Sequence, residues 1–174
     1  PSANAYVGPA SKDNAMINQR NTIIPADCIL IHTDGSCIGN PGPGGWAASL
    51  RRMKGGAEVK KLIVKGGDPA TTNNRMELVA AIEALKSLRV DEVSPIIIRS
   101  DSQYLVKGMT EWQPHWVARG WRKADGKAVG NQDLWKELIA SARGRTLQWH
   151  WVRGHMGNKS NVEVEVITTA EAQA

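Results

Sequence analysis

The chain has 174 residues, enough for one domain with a real hydrophobic core. Hydrophobic residues make up 41% and the net charge is +5, which leans weakly toward a polyanionic partner, although a solvated basic surface is the commoner reason for such a balance. No apolar run approaches the ~18 residues of a membrane span, and two cysteines, Cys28 and Cys37, are too few for a disulfide framework and lack metal-site spacing.

The opening, "PSANAYVGPASKDNAMINQRNTII", is polar, rich in small residues and without the apolar centre of a signal peptide. Residues 1–26 are therefore expected to be a flexible extension and residues 27–174 the folded domain. "CILIHT" is a short apolar run that ends at Asp34 and reads as a buried strand. "GSCIGNPGPGG" reads as a loop, "WAASLRR" resumes an extended pattern, and "AEVKKLIVKGG" after the "MKGG" turn offers a third strand. "TTNNRMELVAAIEALKSL" is the clearest helix, with Thr72 or Asn73 as its cap and Met76, Ala80, Ile82 and Leu85 on one face. "SPIIIRSD" is a fourth strand that again ends at an aspartate, Asp101. "SQYLVKGM" and "TEWQPHWVARG" are short helical segments, the second interrupted by Pro114. "GWRKADGKAV" reads as a basic loop, and "NQDLWKELIASARG" as a helix capped by Asn131 or Asp133. "TLQWHWVRG" alternates as a fifth strand. Seven Trp and no Phe make indoles the main aromatic bulk, and Trp135, Trp149 and Trp151 are assigned to the core.

Asp34 and Asp101 each follow a strand, where an open α/β sheet commonly collects ligand groups, and Glu77 lies one turn into the first helix. Taken singly, each acid is more readily a cap or a surface charge. Three converging carboxylates, however, would raise one another's pKa, and a bound Mg²⁺ removes that cost.

"TDGSCIGNPGPGGW", "TTNNRMEL", "SDSQYL" and "WVRGHMGN" occur in this order, followed after "SDSQYL" by "GMTEWQPHWVARGWRKADGKAVGNQDLW". From about Ile29 to about Asn161 the chain strongly resembles type 1 ribonucleases H, the bacterial ribonuclease HI family. The resemblance implies a ribonuclease H-like α/β fold: a five-stranded mixed sheet, strands 1 to 3 antiparallel, flanked by helices. It implies a metal-dependent endonuclease that cuts the RNA strand of RNA–DNA hybrids and leaves 5′-phosphate and 3′-hydroxyl ends. Mg²⁺ or Mn²⁺ is the implied cofactor, two ions per site. A cytoplasmic monomer without a protein partner is expected.

By position in the motifs, Asp34, Glu77 and Asp101 match three of the family's four acidic ligands, and His155 its loop histidine. Glu165, in "NVEVEVITT", stands where the family has an aspartate opening its last helix, with Asn161 as the runner-up ligand. The β-branched run there favours a strand by propensity, whereas the resemblance favours a helix. Asn40, Asn73 and Gln103 match residues that read sugar hydroxyls in the minor groove. Trp112, Trp116, Arg119, Trp121, Arg122, Lys123 and Lys127 match a handle that meets the DNA strand, and Thr72 with Asn131 matches a phosphate pocket. Val117 and Ala118 replace cations frequent in that handle, which predicts a weaker grip. The glycines of the first loop let backbone approach the RNA, except Gly44 and Gly45, which read as ordinary turn composition. The altered fourth acid leaves one alternative, a catalytically weakened module that binds hybrid.

Overall fold

The computed structural model describes residues 24–154 and 168–174. Most of the expected N-terminal extension, His155, Asn161, Glu163 and Glu165 lie outside the described residues.

Five strands form one sheet in the order β3-β2-β1-β4-β5. They are β1 (Cys28–Cys37), β2 (Gly42–Lys54), β3 (Ala57–Thr71), β4 (Ile96–Ser100) and β5 (Leu147–Trp151). The first three run antiparallel, and β1–β4 and β4–β5 pair in parallel. This is the mixed α/β sheet expected from the sequence. Gly55 and Gly56, both at positive φ, turn β2 into β3 where "MKGG" signalled a hairpin.

The expected loop "GSCIGNPGPGG" is mostly strand. Gly35 to Cys37 complete β1, and Gly44 and Gly45 face Cys37 and Ser36 across the ladder, so only 38–41 remain as connection. Glycine and proline composition misleads here because the two strands hold each other extended. Nor are Gly44 and Gly45 turn residues. A Cβ on Gly45 would lie 2.5 Å from Ala172 N and 2.6 Å from Thr168 O. Its bare surface lets the C-terminal helix lie on β2.

Helix α1 (Asn73–Lys86) starts at Thr72, whose Oγ1 accepts the Arg75 N–H at 3.2 Å. Met76, Ala80, Ile82 and Leu85 are all buried, with Ile29, Ile31, Ile96, Ile98 and Trp149 of the sheet also in the core. Ser102 Oγ caps α2 (Gln103–Lys107). A wider π-helical turn (Gly108–Trp112) leads into α3 (Gln113–Ala118). Pro114 does not break this path, since it sits in the first turn of α3, where its missing N–H is not needed.

Helix α4 (Gln132–Ala142) differs from expectation at its start. Asn131 occupies the cap position in a left-handed conformation and makes no capping bond, and Asp133 pairs with Arg75 instead. Residues 168–173 form a last short helix, α5. Among the described residues no helix is long and apolar enough to cross a membrane. Both cysteines are free, Cys28 buried and Cys37 half-buried, with the Cys37 thiol donating to Gly42 O and Thr71 O.

Candidate active site

The parallel ladder between β1 and β4 ends at His32 opposite Arg99. Asp34 and Asp101 each stand two residues further on. Equal offsets on neighbouring parallel strands bring them to the same level at the same sheet edge. Side chains two residues on return to the same face, so both carboxylates point the same way. Asp34 is not past its strand, as expected, but inside β1, paired with Ala47.

The first turns of α1 press onto β1 from the side. Gly35 permits this, because a Cβ there would fall 2.5 Å from Glu77 N. Glu77 is therefore driven against the strand, buried at 8% exposure, and the Gly35 N–H donates to its carboxylate. Oxygens of Asp34, Glu77 and Asp101 all lie within 4.8 Å of one another, the one such acidic cluster among the described residues. Burial first, then the Asp34 and Asp101 charges, push the Glu77 carboxyl well above its usual range. Its Oε2 is buried and has no hydrogen-bond partner. A buried, unpartnered carboxylate oxygen facing two further carboxylates fits a hard divalent cation, which binds through such oxygens and cancels their repulsion.

The acids sit in an open cleft whose walls include Asn73, Gln103, Tyr104 and Thr169. Two of the three residues expected to read sugar hydroxyls thus share the cleft with the acids. The third, Asn40, reaches its rim, where Asn40 Oδ1 accepts the Asn73 N–H at 3.0 Å. Thr72 and Asn131, expected as a phosphate pocket, both meet Arg75: Thr72 caps its N–H, and Asn131 Oδ1 accepts from its guanidinium. Arg75 itself was not singled out in the sequence. Its bidentate bond to Asp133, at 3.0 and 2.9 Å, ties the start of α1 to the start of α4 and holds the Asp133 carboxyl below its usual range.

Trp151 was assigned to the core, yet it is half-buried and has a second task. Its indole N–H donates to the Asp101 carbonyl at 3.0 Å. The signal was present in the sequence only as the last aromatic of an alternating strand.

The tryptophans of the handle are both packed and half-exposed. Trp116 stacks with Trp112, Trp121 and Trp135 at centroid distances of 5.9, 6.1 and 5.2 Å. Tyr104 joins them and accepts the Trp135 N–H while Asn131 donates to the same hydroxyl. The expected basic loop is a tight hairpin: Arg122 bridges to Ala128, and the Lys123 N–H donates to Lys127 O at 2.8 Å. Arg122, Lys123 and Lys127 are exposed on it, and Arg119 is exposed at the end of α3 just before it. Lys136 of α4, also missed, lies 5.3 Å from the Trp121 ring.

His32 and His150 are buried in the core. Burial lowers their pKa to about 3 and about 4, with the Arg99 charge adding to both shifts.

The family model described as RNase H matches residues 26–173. A ribonuclease H of Xanthomonas campestris pv. campestris (strain 8004) is 48% identical over 146 residues, 84% of this chain and 93% of its own. One from Bordetella avium (strain 197N) is 46% identical over 143 residues, 82% of this chain and 89% of its own. Among solved structures, LC9-RNase H1, described as a type 1 RNase H with the type 2 active-site motif, superposes with a TM-score of 0.75 at 33% identity, covering 87% of this chain and 75% of its own. LC11-RNase H1, solved in complex with an RNA/DNA hybrid, shares the fold at a TM-score of 0.58 and 23% identity, over 83% of this chain and 96% of its own. With the family model spanning nearly the whole described sheet and relatives close to half identical over most of their length, the chain belongs to the ribonuclease H family and is of the bacterial ribonuclease HI type.

Proposed function

We propose that this chain is a metal-dependent endonuclease that hydrolyses the RNA strand of RNA–DNA hybrids, leaving 5′-phosphate and 3′-hydroxyl ends. The observation that carries this reading is the cluster of Asp34, Glu77 and Asp101, with the buried Glu77 Oε2 unpartnered. These three residues would hold Mg²⁺ or Mn²⁺, two ions during turnover. Bound there, a divalent cation supplies Lewis-acid stabilisation of charge on the phosphoryl oxygens. The protein's own share is positioning. Gly35 fixes Glu77 through its N–H, and Trp151 fixes the backbone of Asp101.

His155 takes part in moving a proton at the scissile phosphate, and Glu165 is the fourth acidic ligand, with Asn161 as the competing donor. Asn73, Gln103 and Asn40 read the RNA sugars, since amides both donate and accept to a 2′-hydroxyl. Trp112, Trp116 and Trp121, with Arg119, Arg122, Lys123 and Lys127, meet the DNA strand, and Thr72 with Asn131 borders a phosphate beside Arg75. Residues 27–174 are the working domain. The enzyme acts as a monomer, and its two free thiols suit a reducing cytoplasm. The altered fourth position does not favour a module that only binds, because the other three acids are in place.

The test uses 5′-labelled hybrid, RNA duplex and DNA duplex, each with Mg²⁺, Mn²⁺ or EDTA. Cutting confined to the RNA of the hybrid and stopped by EDTA is expected. Cleavage that persists in EDTA, or equal cutting of DNA duplex, would overturn the reading.

A further inference from the structure

The handle is short of charge where Val117 and Ala118 replace frequent cations, and the fold brings one cation back from a different element. Lys136 of α4 places its ammonium over the Trp121 ring, 5.3 Å from the centroid. That ring is held in place by its own backbone. Trp121 lies at φ 65, a left-handed conformation that is costly for a bulky residue. Its N–H donates to Trp116 O at 2.6 Å, and its carbonyl accepts the Val129 N–H at 3.0 Å. The indole also packs against Trp116, at a centroid distance of 6.1 Å. Strain retained at a point pinned from both sides marks a position whose geometry matters.

The charge on Lys136 is not neutralised within the protein. On a helix its neighbours are the residues three and four positions away: Gln132, Asp133, Ile139 and Ala140. Asp133 is the one acid among them, and the Arg75 guanidinium holds both of its oxygens, at 3.0 and 2.9 Å. The adjoining acid, Glu137, pairs with Lys86 at 3.2 Å. Lys136 itself is exposed and forms no ion pair among the described residues. Asn131 stands five residues earlier, roughly 7.5 Å along α4, and Arg122 follows Trp121 directly. Lys136 is thus tied to both, by its helix to Asn131 and through Trp121 to the cationic hairpin.

We propose that Lys136 is a further contact to the DNA strand, a phosphate-binding cation preset on the face of Trp121 that makes up part of the charge Val117 and Ala118 do not supply. An indole face attracts an ammonium without neutralising it, so the cation is held in one place and keeps its charge for a phosphate. A free lysine loses rotamer freedom when it binds, and one already resting on a ring has less to lose. Phosphates recur every ~3.4 Å of helix axis along one strand, so Asn131 and Lys136 suit phosphates of the same strand a step or two apart. The handle therefore grips more firmly than positions 117 and 118 alone predict. The inference rests on the reading that the cleft takes an RNA–DNA hybrid.

The test is the salt dependence of hybrid binding by the full chain in EDTA, followed by fluorescence anisotropy between about 50 and 200 mM salt. Lys136→Met keeps an unbranched stem and removes the charge. It should weaken binding and lower the slope of log Kd against log salt by about 0.9, so that the variant loses about threefold less affinity than the parent over that range. Lys136→Arg should keep the parent slope, since a guanidinium is also held by an indole and carries the same charge. Val117→Lys, added to Lys136→Met, should restore the slope by returning a cation to the handle. Trp121→Leu should weaken binding, and Lys136→Met should then cost less than it does in the parent, because the lysine no longer starts from a fixed place. Lys54→Met, at an exposed cation beside the β2–β3 turn, should leave the slope unchanged, and circular dichroism checks that each variant folds. An unchanged slope in Lys136→Met, an equal fall in Lys54→Met, or the same effect of Lys136→Met with and without Trp121 would overturn the inference. A parent that binds no hybrid at all would overturn the reading of the cleft as well.

Discussion

Glu77 shows how one side chain sets the chemistry of the cleft. It is buried beside Asp34 and Asp101, and its carboxyl is pushed well above the usual range by burial and by those two charges. A folded-state pKa raised above the unfolded value means the folded chain holds the proton more tightly. Stability of the metal-free protein should therefore fall as pH rises from the ordinary carboxylate range toward the raised folded value. A divalent cation at neutral pH should reverse that loss. Glu77→Gln should raise the metal-free Tm at pH 7 by about 2–4 °C, as expected for about 1 kcal/mol in a domain of this size. It should also shrink the rise in Tm that Mg²⁺ gives to the parent protein. A metal-induced rise that is undiminished in Glu77→Gln would place the cation elsewhere. Asp34→Asn and Asp101→Asn should abolish turnover while hybrid binding, measured in EDTA, survives, because the handle cations are remote from the cluster. Near-parental turnover in either would mean that the acids do not carry the reaction. Trp151 tests positioning rather than chemistry. Trp151→Phe keeps an aromatic ring but removes the N–H that holds the Asp101 carbonyl. A fall in kcat of about tenfold at nearly constant KM is expected, matching about 1.4 kcal/mol of lost transition-state stabilisation. An equal rise in KM would assign Trp151 to substrate binding instead.

Among the elements, the segment from α2 through the 122–128 hairpin combines packing with charge. Its tryptophans interlock with Tyr104 and Trp135, so the cations of the hairpin are mounted on a core-anchored base rather than a free loop. Arg122→Ala with Lys123→Ala should raise KM and flatten its dependence on salt while kcat changes little, since exposed cations bind phosphate equally in ground and transition states. A large loss of kcat at saturating hybrid would show that the hairpin also orients the scissile bond. This segment also shows where sequence ran out. Periodicity and caps located α1 and its buried positions, because one face of a long helix repeats regularly. Charge and composition located the cations but not the hairpin that fixes them, which rests on a backbone bridge between Arg122 and Ala128. Arg75 and Lys136 were invisible for a different reason. Each acts on a residue more than ten positions away, Asp133 and Trp121, and long-range pairs leave no local pattern. The loop expected over "GSCIGNPGPGG" failed because tertiary pairing overrode turn composition, so Asp34 was placed at a strand's end when it lies within it.

Across the whole molecule, the two ends of the domain meet the sheet differently. The described chain enters beside the β2–β3 turn, where Gly55 and Gly56 donate to Asp27 and Ala26. It leaves across the other end, beside the acids. Thr168 Oγ1 donates to the carbonyl of Asp34 at 3.4 Å, Glu171 pairs with Lys65 at 3.1 Å, and α5 lies on the bare surface of Gly45. The sequence favoured a C-terminal helix by resemblance against a β-branched run, and residues 168–173 are helical, although Glu165 itself lies outside the described residues. So short a helix is marginal alone, and its packing on the sheet holds it. If α5 sets the position of Asp34, displacing it should damage catalysis more than folding. Gly45→Ala provides the displacement, because the added methyl would meet backbone atoms of Thr168 and Ala172 that cannot rotate away. We expect a modest loss of stability, about 1–3 kcal/mol as is usual for overpacking, since the main core lies on the α1 face of the sheet. The accompanying fall in kcat should be larger than any change in KM. Lys65→Ala is the control, as it breaks only the exposed ion pair to Glu171 and should cost little in either measure. Full activity in Gly45→Ala, with the same small loss of stability, would mean that the C-terminal helix covers the sheet without steering the acids.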